Sequence, residues 1–336
     1  MRHLPRAVLP LILPLICARC AGTTPSTGQP PSAVREGYVD AGDAVRLFYR
    51  MVGTGGDTVV VLHGGPGFSM SYLAPDLGPL AAHHVLLFYD QRGAGRSTVV
   101  ADSAALDAQR FADDLEAVRR HFGLSRLTLF AHSWGAAVAA LYAARHPDRI
   151  ARLLIVDGIS VRRAHHVRIA QILDSRRDSI GRRRLQQLAD ARRADPGDRA
   201  ACRAFFDEWF VAAYADSTAG RRRRGDFCAD APASLANKLT RIDRFTLASL
   251  GDWDWRPAMR SVTAPTLVMR GAMDYVPLES AREWAAAPPN GRLLVLDRAG
   301  HFPYFETPEG FFLAAEEFLQ GRWPAGAEAV RAPGPG

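Results

Sequence analysis

Residues 127–135 read Leu-Thr-Leu-Phe-Ala-His-Ser-Trp-Gly (LTLFAHSWG), and the Ala-rich stretch 134–145 follows. The apolar run LTLF has the character of a buried strand, and the alanine-rich stretch that of a helix. Between them A-x-S-x-G places Ser133 at the apex of a strand–turn–helix, the context a nucleophile elbow requires. So tight a turn needs small residues on both sides of the serine. Gly135 satisfies this on one side, and Ala131 stands where glycine is usual on the other.

Outward from that turn, short continuous apolar runs recur at 58–62 (TVVVL), 84–89 (HVLLFY), 153–156 (LLIV), 266–269 (TLVM) and 292–296 (RLLVL). Such runs suit parallel strands covered on both faces. A helical pattern at 105–122 and the alanine-rich helix lie between them, so the sheet is expected to be mostly parallel with helices on both faces. Residues 37–49 alternate enough to predict a hairpin turning at Ala41-Gly42-Asp43. Between 159 and 259 no buried-strand pattern occurs and several helical ones do, so this stretch reads as a helical cap inserted into the sheet. Phe205, Phe206, Trp209, Phe210, Tyr214, Trp253 and Trp255 lie in it, as cap core or as the lining of a pocket. The predicted organisation is an α/β core at 36–158 and 260–322, the cap at 159–259, and a disordered Pro/Gly-rich tail at 323–336.

At 336 residues and 48% hydrophobic composition the chain can bury one large core. The net charge of +7 comes from 42 basic residues, of which only Lys238 is lysine. Basic residues crowd between Arg162 and Arg224 but alternate with aspartates there, which reads as a solvated helical face and not as a nucleic-acid surface. No Cys/His cluster has metal-ligand spacing, and no cofactor is expected. Arg2 and Arg6 precede a dozen apolar residues, 7–18, too few for a stable membrane span. Residues 1–22 therefore read as an export signal and 23–35 as a flexible linker, with a periplasmic or secreted destination and a cytoplasmic one as the alternative. Arg19 is a poor cleavage neighbour, and the residues before Cys20 do not invite a lipid anchor. In an exported chain Cys202 and Cys228 would be the remaining cysteines, either bridged or two buried thiols.

A serine nucleophile needs a base, an acid to orient it, and donors for an oxyanion. After the run at 266–269 comes Asp274, and after that at 292–296 comes His301, both expected at carboxyl ends of parallel strands, where open α/β sheets place their sites. The order Ser133, Asp274, His301 is that of nucleophile, acid and base in this kind of sheet. Asp157, after the run at 153–156, is the rival for the acid. The glycines of HGGPG at 63–67 would bring backbone N–H groups to a substrate oxygen, and the N–H groups of Gly65 and Trp134 are the oxyanion-hole candidates. No G-x-x-x-x-G-K-[ST] is present, so the loop is not a P-loop.

HGGPG at 63–67, DQRGAGRS at 90–97, HSWG at 132–135 and the contexts of Asp274 and His301 resemble the proline iminopeptidase group of the α/β-hydrolase superfamily. The resemblance runs from about residue 37 to 320. It implies an α/β-hydrolase fold with an inserted helical cap and a metal-free acyl transfer that removes N-terminal residues, often proline, from peptides. Asp90 and Arg92 would pin the loop near the site. Members of that group commonly carry W-x-x-W-E in the cap, whose glutamate pairs with the substrate's amine. The matching stretch here is Phe206-Asp207-Glu208-Trp209-Phe210, with Phe210 in the glutamate's place, so Glu208 is the candidate substrate-binding acid, with Asp207 as the alternative. A small peptide is the expected substrate, and a small apolar ester or lactone the alternative.

Overall fold

The computed structural model describes Met1 and residues 34–330, with only the backbone of Leu239. The expected leader and linker, with Cys17 and Cys20, lie outside the described residues. The strands are β1 (Arg35–Asp40), β2 (Arg46–Val52), β3 (Thr58–Leu62), β4 (Val85–Tyr89), β5 (Leu127–His132), β6 (Ile150–Val156), β7 (Thr266–Gly271), β8 (Gly291–Leu296) and β9 (Glu328–Ala329). They form one sheet in the order β1-β2-β4-β3-β5-β6-β7-β8-β9. From β4 to β8 every pairing is parallel. The first two strands and the last pair antiparallel at the two edges.

The apolar runs produce this sheet because their side chains are covered from both sides: Val59, Val60, Leu62, Leu129, Phe130, Leu153 and Leu154 are all fully buried. One face carries α1 (Ala108–His121) and α2 (Gly135–Ala143). The first is capped by Asp107, whose side chain accepts from the Gln109 N–H, and it buries Phe111, Leu115 and Val118 along one stripe. The second is buried along its whole length; its alanines let the helix lie close against the sheet. The expected hairpin and both of these helices are present, with boundaries shifted by one to three residues.

Between β6 and β7 the chain is helical, as expected of the cap: α3 (Arg163–His166), α4 (Ile169–Ser175), α5 (Ser179–Ala194), α6 (Arg199–Val211), α7 (Pro232–Asn237), a π-helical turn (Lys238–Ile242), α8 (Asp243–Ser249) and α9 (Arg256–Arg260). Cys202 on α6 is bonded to Cys228 in the loop before α7, which decides between bridge and free thiols. The chain closes with α10 (Leu278–Ala286), α11 (Pro303–Glu306) and α12 (Pro308–Leu319). The last helix packs Phe311 and Phe318 on the face opposite α1, in an apolar cluster that continues into the cap through Phe206, Phe210 and Phe227.

The tail departs from expectation. Residues 323–330 were expected to be disordered, yet Trp323 packs against the core and Glu328–Ala329 pair with β8. A two-residue edge strand leaves no periodicity to read. Among the described residues no helix is long and apolar enough to cross a membrane.

Candidate active site

The sheet order brings the sequence motifs together. The chain leaves β3 for β4 on one side and returns to β5 on the other, so β3 and β5 are neighbours with Leu62 opposite Ala131. Such a reversal opens a crevice at the carboxyl ends of the strands. The HGGPG loop after β3 and the HSWG turn after β5 both emerge there. Gly64 and Gly135 are glycines because of that closeness. A Cβ on Gly64 would lie 3.0 Å from Ser133 Cβ, and one on Gly135 would lie 2.3 Å from the Leu62 carbonyl oxygen. Ser133 itself has φ of +53°, a conformation that costs a non-glycine residue about 1–3 kcal/mol and persists where the surrounding structure enforces it. Its N–H donates to Val156 O, and its carbonyl accepts from Ala136 and Ile159.

Ser133 Oγ lies 3.0 Å from His301 Nε2, and His301 Nδ1 lies 2.8 Å from Asp274 Oδ1. His301 and Asp274 are both buried. Burial pushes the Asp274 carboxyl up, but the His301 charge and hydrogen bond outweigh it and hold Asp274 below the usual carboxylate range. The side chain expected to be the rival acid is also close. Asp157 Oδ1 accepts the Gly271 N–H at 2.9 Å, and ligand atoms of Asp157, Asp274 and His301 lie within 4.8 Å of one another. Desolvation and the neighbouring Asp274 charge push Asp157 well above the carboxylate range. Two buried carboxyls this close share a proton; Asp274 takes the histidine and Asp157 keeps the proton.

The surrounding polar groups form one connected set. Tyr72 OH accepts from the Gly64 N–H at 2.6 Å, so its proton goes to His132 Nδ1, 2.7 Å away. His132 Nε2–H then donates to the His301 carbonyl at 3.0 Å. Burial lowers His132 to about 3, which keeps this tautomer neutral. Beneath it, Asp90 accepts the Met70 and Arg96 N–H groups, and Arg92 grips Asp114 with two bonds of 2.8 and 2.6 Å. These are the loop-pinning contacts expected of Asp90 and Arg92. The N–H groups of Gly65 and Trp134, the oxyanion-hole candidates, donate to no backbone acceptor among the described residues.

A cavity of about 260 Å³ opens beside Ser133 and His301. Helix α6 supplies Phe205, Phe206, Trp209 and Phe210, and Phe68, Tyr72, Phe227, Tyr275 and Phe302 complete the aromatic wall. The aromatics of α6 thus line the pocket, while Trp253 stacks on Trp255 and Trp255 on Trp284 in the core. Glu208 is outside the cavity, which corrects its reading as the substrate-binding acid. The side chains of 205, 206, 209 and 210 share the inner face of α6, and residue 208 is rotated about 100° from its neighbours. It faces α5 and pairs with Arg184 at 3.1 Å. Asp207 is engaged outside as well, with Arg223 at 2.9 Å. Several lining residues went unrecognised in the sequence, Tyr275, Lys238 and Asp243 among them. Tyr275 OH lies 3.2 Å from His301 Nε2, and its position directly after Asp274 was the only signal. Lys238 and Asp243 come from the π-helical turn and α8, and no motif marks them.

A serine at a strained strand–helix turn, hydrogen-bonded to a buried His–Asp pair at the carboxyl edge of this sheet, defines a hydrolase. The chain belongs to the alpha/beta hydrolase fold family, whose family model matches residues 57–308. Its sequence resembles proline iminopeptidases. That of Heyndrickxia coagulans is 24% identical over 290 residues, covering 84% of this chain and 98% of the relative. That of Xanthomonas citri is 28% identical over 289 residues, covering 80% and 90%. The crystal structure of the Mycobacterium smegmatis proline iminopeptidase shares the fold, with a TM-score of 0.61 and 23% identity over 85% of this chain and 98% of that one.

Proposed function

We propose that this protein is a serine hydrolase that works through an acyl-enzyme on Ser133. The observation that carries this is the unbroken chain from Ser133 Oγ to His301 at 3.0 Å and from His301 to Asp274 at 2.8 Å. Ser133 Oγ attacks the substrate carbonyl while His301 Nε2 takes its proton. Asp274 holds the imidazole with Nδ1–H towards itself and steadies the imidazolium. The N–H groups of Gly65 and Trp134 receive the developing oxyanion. His301 returns the proton to the departing alcohol or amine, and the acyl-serine ester remains. A water, deprotonated by His301, then attacks that ester; His301 returns the proton to the departing Ser133 Oγ, and the acid is released.

Kinship with proline iminopeptidases over most of the chain supports an aminopeptidase releasing N-terminal residues from peptides. A second reading, hydrolysis of a small apolar ester or lactone, is favoured by the cavity wall. Phe210 stands where the amine-binding glutamate is expected, and Glu208 is paired with Arg184. A buried ammonium without an anion is costly. Prolyl and other aminoacyl arylamides assayed beside short-chain aryl esters, each with Ser133→Ala as control, decide between them. Faster turnover of the arylamides supports the first reading, and faster turnover of the esters the second. Activity that survives in Ser133→Ala refutes the mechanism common to both. The Cys202–Cys228 bridge supports an oxidising compartment, and with it the reading of the first 22 residues as an export signal.

A further inference from the structure

The chain's only lysine lines the cavity beside the nucleophile. Lys238 is 3% exposed, and its stem runs against the HGGPG loop, where a Cβ on Gly67 would lie 3.2 Å from Lys238 Cγ. Its Nζ donates to the Phe227 carbonyl at 2.8 Å and sits 4.0 Å above the Phe68 ring and 4.8 Å from that of Phe206. An ammonium has three protons, and that carbonyl takes one. Among the described residues no carboxylate lies within ion-pairing distance of Nζ. Arg192 lines the same cavity, its guanidinium 3.7 Å over the Phe205 ring. The lining thus holds two cations and one carboxylate, Asp243.

A substrate ammonium entering this space would meet like charge with little water to screen it. A carboxylate would meet an ammonium already held in place by aromatic faces and one carbonyl, and could take its remaining protons in charge-assisted hydrogen bonds. We propose that Lys238 selects substrates whose apolar acyl chain carries a carboxylate, that is, monoesters or monoamides of dicarboxylic acids. This rests on the acyl-enzyme reading of Ser133 and narrows the ester reading of its substrate.

Burial lowers Lys238 to about 7, against the raising effect of Asp230 and Asp226 and with a further lowering from Arg192. Asp230 is held by Ser69 and Asp226 by Arg203. Asp243 shares the cavity, and the buried His63 is lowered to about 4. Lys238 therefore changes charge around neutral pH. It is protonated below about pH 7, so preference for an anionic substrate is present there and lost as pH rises.

The test uses three matched p-nitrophenyl esters: the adipate monoester (anionic), the hexanoate (neutral) and the 6-aminohexanoate (cationic). Wild-type kcat/KM is expected to be highest for the adipate and lowest for the aminohexanoate. Lys238→Met should lower the adipate-to-hexanoate ratio by about tenfold or more, as loss of a charge-assisted hydrogen bond would. In the wild type the same ratio should fall between about pH 6 and about pH 8.5, a readout that does not depend on how the variant folds. An aminohexanoate preference, or a ratio that neither the substitution nor pH moves, overturns the role of Lys238. Absence of turnover of all three esters, together with failure of a fluorophosphonate to label Ser133, overturns the acyl-enzyme reading beneath it.

Discussion

The pair Asp157–Asp274 makes a prediction that separates the two acids. With ligand atoms within 4.8 Å of each other, two ionised carboxylates would repel by about 3.5 kcal/mol at an effective dielectric constant near 20. Asp274 is held ionised by His301, so Asp157 carries the proton at neutral pH. Asparagine reproduces that neutral acid, since its oxygen still accepts the Gly271 N–H and its NH2 still faces Asp274. Asp157→Asn is therefore expected to lower kcat/KM by less than about threefold, whereas Asp274→Asn should cost about 10⁴-fold because the histidine loses its orienting anion. In Asp274→Asn the repulsion is gone. Asp157 then ionises near His301 and replaces part of the missing charge. The double variant Asp157→Asn/Asp274→Asn should accordingly fall at least about tenfold below Asp274→Asn alone, a coupling that a double-mutant cycle reads directly. The assay is kcat/KM on one ester at fixed pH, with folding checked by circular dichroism. If Asp157→Asn alone is as damaging as Asp274→Asn, or if the double variant equals Asp274→Asn, the assignment of the proton to Asp157 is refuted.

Stability should depend on Lys238. Its folded-state pKa of about 7 lies below the ordinary lysine value, so the unfolded chain binds the proton that the folded chain lacks. Stability through this group rises with pH from about 7 to about 10.4, by at most about 1.4 kcal/mol per pH unit; urea midpoints across that range should rise more steeply for wild type than for Lys238→Met, and parallel curves would refute the shift. The Cys202–Cys228 bridge closes a separation of 26 residues and stabilises by about 3.5 kcal/mol in the chain-entropy model. Cys228→Ser should therefore lower the unfolding temperature, and reductant should lower it for wild type but not for the variant. Gly135→Ala would set a Cβ 2.3 Å from the Leu62 carbonyl oxygen and force the serine turn away from the HGGPG loop. A displacement of about 1 Å there costs about 10²-fold in kcat/KM, and near-wild-type activity would show that the turn tolerates the shift.

Much of this arrangement was legible in the sequence, for identifiable reasons. Runs such as TVVVL and LLIV are apolar at every position because both faces of the sheet are covered, so the strands announce themselves without alternation. Ser133, Asp274 and His301 were readable because each follows such a run, and the parallel sheet delivers all three to one edge. Glu208 was misread because helix phase alone does not say which face turns inward. That depends on α5, whose Arg184 draws Glu208 outward. The two-residue β9 exists only through its pairing with β8, which no local pattern encodes. Lys238 stood out only as a count of one. Its place against Phe68 and Phe206 arises from the packing of the π-helical turn on the HGGPG loop, a contact across more than 160 residues of chain.

The central claim is that Ser133 becomes covalently acylated, and intact-protein mass spectrometry after treatment with a fluorophosphonate tests it directly. Wild type should gain the mass of one adduct, located on Ser133 by peptide mapping. Ser133→Ala should gain none, and His301→Ala should react far more slowly. An adduct that persists on Ser133→Ala, or a wild-type protein that stays unmodified, would contradict the account.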